Sequence, residues 1–211
     1  MGKIVLATII ISGSAKWLLK VGGNKEKWYG SDRIFMYVMT VFGAMTVNYS
    51  EQCTEYGWVV SNLRLLAGCL LAGGLLSAAY MDRRNCWVYN YVWWWCLPWA
   101  GILGMTAGGE FSGIVAVLVF VMLQQLLFSR MYGKADCHAF SVCALAECGN
   151  AVGMVGFLLQ MFLSVVLLTI VQLFRGNVTP RGRLREPQPF IPYIITAFFS
   201  VMFLESVFRT T

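Results

Sequence analysis

Aspartates are the residues of this sequence whose placement could support hydrolytic chemistry. Of the three in the chain, Asp82 ends a long apolar stretch and Asp136 begins another. If these two carboxyls approach each other, both cannot ionise, and the pKa of one of them rises. The ionised member could then draw a proton from a water molecule while the protonated member donates to a carbonyl oxygen. This pairing suits peptide hydrolysis without a metal or a nucleophilic side chain.

Each aspartate also has an ordinary structural interpretation. Asp136 could be an N-cap that accepts backbone N–H bonds, and Asp82 could be a boundary residue paired with Arg83 or Arg84. Asp32 stands in a polar segment, where a solvated loop position or a helix cap is expected. A small-residue face on the Asp82 helix is expected to allow close packing and to bring Asp82 toward Asp136. That face comprises Gly68, Ala72, Gly73, Gly74, Ala78 and Ala79.

The elements that carry these aspartates are typical of a membrane protein. Of the 211 residues, 58% are hydrophobic and 12% are charged, whereas soluble domains are about 25% charged. A spanning helix needs about 20 apolar residues, and barrel strands would alternate at period 2, which these stretches do not. We therefore predict an all-α, polytopic bundle of about eight transmembrane helices in a single domain over residues 1–211. The predicted segments are Ile4–Leu19, Ile34–Tyr49, Trp58–Tyr80, Trp87–Thr106, Phe111–Met131, Cys137–Glu147, Ala151–Phe174 and Ile191–Phe208.

The first segment has a second interpretation. Lys3, an apolar run and the small residues 12–15 together are compatible with a signal peptide. Because the segment continues through Trp17, Leu18 and Leu19, a retained first helix is favoured.

Basic residues are distributed unevenly among the predicted loops. Lysine and arginine prefer cytoplasmic loops, and 13 of the 16 basic residues fall in one set of loops. This asymmetry predicts both termini outside and the loops near 20–33, 82–86, 130–136 and 175–190 in the cytoplasm. Anionic membrane lipid accounts for the net charge of +6, so nucleic acid is not expected as a partner. The 13 residues are Lys16, Lys20, Lys25, Lys27, Arg33, Arg83, Arg84, Arg130, Lys134, Arg175, Arg181, Arg183 and Arg185.

Metal and cofactor sites are not expected. His138 is the single histidine and lacks a cluster of further ligands at metal spacing, so it is either a residue near a site or an interfacial packing residue. The seven cysteines form no CxxC pair, and an apolar packing role is expected for them.

Glu147 and Glu205 are expected at outer helix ends. Arg64 is expected to extend outward or to pair with an acidic neighbour.

The segment that follows Asp82 resembles the first aspartate motif of the type IV prepilin peptidase family, a group of GxGD-type membrane aspartic peptidases. In that motif an aspartate precedes a basic turn and an Ile-Pro-Asn that opens the next helix. Here Arg83 and Arg84 supply the basic turn, and Asn90 stands at the matching spacing. Val88-Tyr89 replaces Ile-Pro.

Two more segments are similar to that family. Gly133-Lys134-Ala135-Asp136 resembles the GxGD motif, with alanine in place of the second glycine. The family often has a lysine two residues after this aspartate, where this chain has His138. The segment Glu186–Tyr193 is similar to the proline-aromatic stretch that leads into the family's last helix.

The resemblance covers about residues 58–208 and implies a function. It implies a cofactor-independent aspartic endopeptidase of the bacterial inner membrane, which cuts the leader of a prepilin-like or pseudopilin-like substrate at the cytoplasmic face. It assigns Asp82 and Asp136 as the catalytic pair. Motif-supporting or substrate-binding roles would fall to Asn90, Gly133, Ala135 and His138.

The loop after the first helix indicates which branch of the family the chain resembles. Val21–Asp32 contains no cysteine, so the resemblance implies a peptidase-only branch without the methyltransferase-type cysteine domain. The alternative is a catalytically degenerate homologue or a non-enzymatic membrane assembly partner. A small transporter ranks last, because few charges lie near the membrane midplane and no repeat is evident.

Overall fold

The described part of the chain is entirely helical. The computed structural model describes residues 2–22, 30–52, 57–108, 111–130, 133–148, 153–175 and 188–210. These ranges contain eight α-helices and one 3-10 turn, Phe128–Arg130, and no strand, which confirms the all-α expectation for this part of the chain. The helices are α1 Gly2–Val21, α2 Gly30–Gln52, α3 Trp58–Asn85, α4 Asn90–Thr106, α5 Phe111–Leu126, α6 Lys134–Glu147, α7 Gly153–Phe174 and α8 Ile191–Thr210.

Four helices, α1, α3, α7 and α8, are long and apolar enough to cross a membrane. The shorter α6 has 14 residues and measures about 21 Å at 1.5 Å per residue, less than the hydrocarbon core of about 30 Å. Residues that could extend it, 149–152, lie outside the described ranges. The chain is thus a membrane-type helical bundle, and Asp136 lies outside its four long apolar helices.

Helix α3 occupies the centre of the bundle and packs against α1, α2, α4 and α8. Its glycines face different neighbours. A Cβ on Gly68 would contact Val47 of α2, one on Gly74 would contact Cys96 of α4, and one on Gly73 would contact α1. The predicted small-residue face therefore brings α3 close to these three helices. The approach of Asp82 to Asp136 depends instead on α4 and α8, each of which also contacts α6.

Asp32 differs from the expected solvated position. It lies in the first turn of α2, and only 6% of its surface is exposed. Its two carboxylate oxygens lie 3.4 Å from Arg83 Nε and 3.5 Å from Arg84 Nε. Asp32 is therefore the ion-pair partner of both arginines, and the interpretation of Asp82 as a boundary residue paired with Arg83 or Arg84 is wrong.

Arg64 is also buried rather than extended outward. It is 5% exposed, and its Nη1 donates to the carbonyl oxygen of Leu103 and to the hydroxyl of Thr106, both at 3.0 Å. These acceptors belong to the last turn of α4, where carbonyl groups have no backbone N–H partner within the helix. A guanidinium placed there satisfies a carbonyl and complements the negative end of the helix dipole.

Glu147 and Glu205 are buried as well, at 1% and 9% exposure. Glu147 does end α6, but neither of its carboxyl oxygens has a hydrogen-bond partner among the described residues. Glu205 lies where α8 packs on α7, and a Cβ on Gly156 would come within 2.6 Å of its Oε1. Glu147 thus lies at a helix end as expected, whereas Glu205 lies more than a turn before the end of α8, and both side chains are covered by the protein.

Candidate active site

A cavity of about 720 Å³ opens where the end of α3 meets the starts of α4 and α6. Both candidate catalytic aspartates line it, together with every other residue assigned to the site by the family resemblance. Aromatic side chains and one lysine complete the wall. The lining residues are Asp82, Cys86, Trp87, Val88, Asn90, Trp93, Gly133, Lys134, Ala135, Asp136, His138 and Gln188.

Asp82 reaches this cavity from the last turn of α3 and is 6% exposed. Its Oδ2 accepts a hydrogen bond of 3.0 Å from the backbone N–H of Ile191, the first residue of α8. The N–H of Phe190 adds a second backbone donor. Donors at a helix N-terminus, with the positive end of the helix dipole behind them, partly offset the cost of burial to the ionised carboxyl of Asp82, and burial is the larger of the two effects.

The chain turns sharply directly after Asp82. Cys86 ends α3 in the left-handed conformation, with φ of 50°, and its N–H donates to the carbonyl oxygen of Asp82 at 2.8 Å. A side chain at positive φ costs about 1–2 kcal/mol, so this turn is held by its surroundings. Residues 87–89 lie outside regular secondary structure and lead to Asn90, where α4 begins three residues later than the sequence predicts.

Asp136 enters the cavity from the first turn of α6. It is the third residue of that helix rather than its N-cap, which is Gly133. Its Oδ2 accepts the backbone N–H of Gly133 at 3.2 Å. Gly133 has an ordinary extended conformation, and a Cβ there would lie 3.1 Å from this carboxyl oxygen. The glycine is thus explained by the room that Asp136 needs, and not by backbone flexibility.

The two aspartates are electrostatically coupled. The pKa of Asp136 is raised from 3.8 to about 7, chiefly by burial and in addition by the charge of Asp82, against the lowering effect of the Gly133 N–H. Burial, followed by the charges of Asp82 and Asp136, also raises the pKa of the Cys86 thiol at the rim. Both carboxyls therefore act on the same small volume, and Asp136 holds its proton near neutral pH.

The motif-supporting residues sit around this pair. Ala135 lies within α6, so its position requires helical backbone and not the positive φ that only glycine adopts freely. Ala135 and His138 both line the cavity, whereas Cys137, between them, is fully buried on another side of the helix. Burial lowers the pKa of His138, and the charge of Lys134 lowers it further.

Other lining residues were not singled out from the sequence. Trp93 closes the wall beside His138, with the two ring centroids 6.0 Å apart, and Gln188 reaches the cavity from the segment before α8. The position of Trp93 within a run of aromatic residues gave no sign of this role. The segment before α8 was singled out from the sequence, because Glu186–Tyr193 is similar to the proline-aromatic stretch of the family. On α6, the Phe140 ring meets the Phe190 ring edge to face, with their centroids 5.9 Å apart.

No group of three or more histidine, cysteine, aspartate or glutamate side chains comes together to hold a metal ion within the described ranges. The six cysteines in those ranges are free thiols, and four of them are buried.

No protein-family model, curated protein or solved structure matches the chain.

Proposed function

We propose that this chain is a membrane aspartic endopeptidase of the prepilin-peptidase type, which removes the leader of a prepilin-like substrate. The observation that carries the proposal is the convergence of Asp82 and Asp136 on one cavity, where the charge of Asp82 raises the pKa of Asp136. Pairs of carboxyl groups held in different protonation states are a recurrent device for acid–base catalysis. The cavity volume lies within the range of about 300–1,000 Å³ typical of ligand sites.

The surroundings of the two carboxyls divide the catalytic roles between them. Asp82 has two backbone donors and Asp136 has one, so we assign Asp82 as the ionised base and Asp136 as the protonated acid. Water gives a proton to Asp82 as its oxygen attacks the scissile carbonyl carbon, and Asp136 donates its proton to the carbonyl oxygen. When the carbon–nitrogen bond breaks, the leaving nitrogen takes the proton held by Asp82, and the hydroxyl proton of the intermediate returns to Asp136.

The positions of the basic residues support an orientation for the site. We place the loops that follow α1, α3, the 3-10 turn and α7 on the cytoplasmic side of a bacterial inner membrane, with about eight crossings and both termini outside. The cavity then opens at the cytoplasmic boundary. There a short leader could reach the two aspartates while the apolar helix of the substrate stays in the bilayer.

The test is cleavage of a prepilin-type peptide by membranes that contain the full chain. Asp82→Asn and Asp136→Asn should each abolish cleavage, since each removes one of the two proton-transfer groups. Glu147→Gln is the matched control, because it replaces a buried carboxyl at the opposite end of α6. Equal cleavage by the wild type and both asparagine variants would refute the assignment.

The second candidate function is a non-enzymatic homologue that acts as an assembly partner. The replacement of the second motif glycine by Ala135 and of Ile-Pro by Val88-Tyr89 favours it. The helical backbone at Ala135 weakens the first of these arguments. Binding of the prepilin-type peptide without cleavage, by correctly folded wild-type protein, would decide for this alternative.

A further inference from the structure

A second concave site lies between α1 and α2, and it shares no lining residue with the aspartate cavity. It has a volume of about 290 Å³, and we refer to it as the α1–α2 groove. The residues on which the inference depends are Thr8, Ser12 and Lys16 of α1, with Arg33, Tyr37 and Val41 of α2.

The groove has a basic end and an apolar end. Lys16 lies toward the end of α1 and Arg33 near the start of α2, so consecutive helices that run in opposite directions place both cations at one end. Farther along, the Thr8 and Ser12 hydroxyls donate to carbonyl oxygens of their own helix, at 2.8 and 3.1 Å. Since the protons of these hydroxyls are already engaged, the wall they form beside Val41 suits an apolar occupant.

The two cations are available to a ligand. Asp32, next to Arg33 in the chain, is turned into the protein and pairs with Arg83 and Arg84. Among the described residues, neither Lys16 nor Arg33 has an acidic partner. An uncompensated pair of positive charges at one end of a largely apolar groove complements a molecule with an anionic head and a hydrocarbon tail.

We infer that the α1–α2 groove binds an anionic phospholipid, with its phosphate between Lys16 and Arg33 and an acyl chain along the wall formed by Thr8, Ser12 and Val41. The membrane-type bundle places such lipids beside the groove. Charge complementarity selects an anionic lipid over a zwitterionic one. It also disfavours the basic leader of a prepilin-type substrate, which two cations would repel.

The inference can be tested by measuring lipid binding to the full chain purified in detergent micelles. Native mass spectrometry would count the lipids retained after titration with phosphatidylglycerol, phosphatidylcholine or inorganic phosphate. Each basic residue near an anionic lipid contributes about fivefold in affinity, so Lys16→Gln with Arg33→Gln should weaken phosphatidylglycerol binding about 30-fold. Phosphatidylcholine should bind the wild type and the double variant equally weakly.

Lys20→Gln is the matched control, because Lys20 is an exposed lysine one turn beyond Lys16 that does not line the groove. It should bind phosphatidylglycerol as the wild type does. Ser12→Leu keeps both charges but fills the groove, and it should also weaken binding. Equal losses in Lys16→Gln and Lys20→Gln would show a general surface-charge effect and overturn the inference. Equal wild-type affinity for the two lipids, or full competition by inorganic phosphate, would overturn it as well.

Discussion

Asp136→Asn should make the stability of the protein less sensitive to pH. With a pKa near 7 in the folded protein and near 3.8 when unfolded, Asp136 holds a proton in the folded state that the unfolded chain has lost. The free energy of unfolding therefore falls by about 1.36 kcal/mol per pH unit as the pH rises between these values. From pH 5 to pH 8 the loss is about 2.7 kcal/mol, since it accumulates only up to the folded pKa. Asparagine does not titrate and abolishes this loss.

Thermal unfolding in detergent micelles at pH 5 and pH 8 measures the effect. For a chain of this size, about 2.7 kcal/mol corresponds to roughly 5–10 °C in Tm. The Tm of Asp136→Asn relative to the wild type should therefore be higher at pH 8 than at pH 5 by about that amount. His138 cannot imitate this effect, because its lowered pKa makes stability rise with pH over the same interval.

A companion variant tests the cause of the shift. In Asp82→Asn the charge that helps to raise the pKa of Asp136 is gone, so the fall in stability should end at a lower pH than in the wild type. Burial is the larger cause and should keep the pKa of Asp136 above its ordinary value. If the wild type and Asp136→Asn lost stability in parallel from pH 5 to pH 8, the proposed proton on Asp136 would be wrong.

Three further substitutions test other parts of the structure. Gly133→Ala should slow peptide cleavage about tenfold by crowding Asp136. Gly57→Ala, also directly before a helix, should cleave like the wild type, because its added Cβ would lie within 4 Å of no described atom beyond its chain neighbours. Arg64→Met should lower stability by about 1.5–3 kcal/mol through its lost hydrogen bonds, and an unchanged Tm would contradict its capping role. Glu147→Gln should change stability by less than about 1 kcal/mol, because an unpartnered buried carboxyl holds its proton; a large loss of Tm would show that it is ionised.

The helices and the aspartate pair could be predicted from the sequence because apolar runs and charged boundaries determine both. Observed helix bounds lie close to the predicted ones, and Asp82 and Asp136 line one cavity as the pairing hypothesis requires. Interactions that depend on which helix lies next to which could not be predicted. Asp32 and Arg64 each have a partner on another helix, and a single sequence without tertiary contacts cannot identify it.

The burial of Glu147 and Glu205 could not be predicted either, because it also depends on which helices are neighbours. A charged residue near a helix end is ordinarily exposed, and the sequence does not indicate that Glu147 and Glu205 are buried. Their burial depends on the packing of α6, α7 and α8, and in particular on Gly156, which leaves room for the Glu205 carboxyl. The sequence contains that glycine but does not indicate which side chain occupies the space above it.

The hydrogen bond that holds Asp82 comes from a peptide group, and this determines how the chain can change over evolution. Any amino acid except proline at position 191 supplies the same N–H, so the side chain of the fully buried Ile191 is constrained by core packing and not by its bond to Asp82. Pro192 beside it lacks an N–H, but at the start of a helix that group would have no partner within the helix. Related sequences should therefore keep an apolar residue at position 191 because of packing, and its role as the donor to Asp82 would not show as a conserved residue type. An isoleucine-to-proline change there would still remove a direct support of the acidic pair.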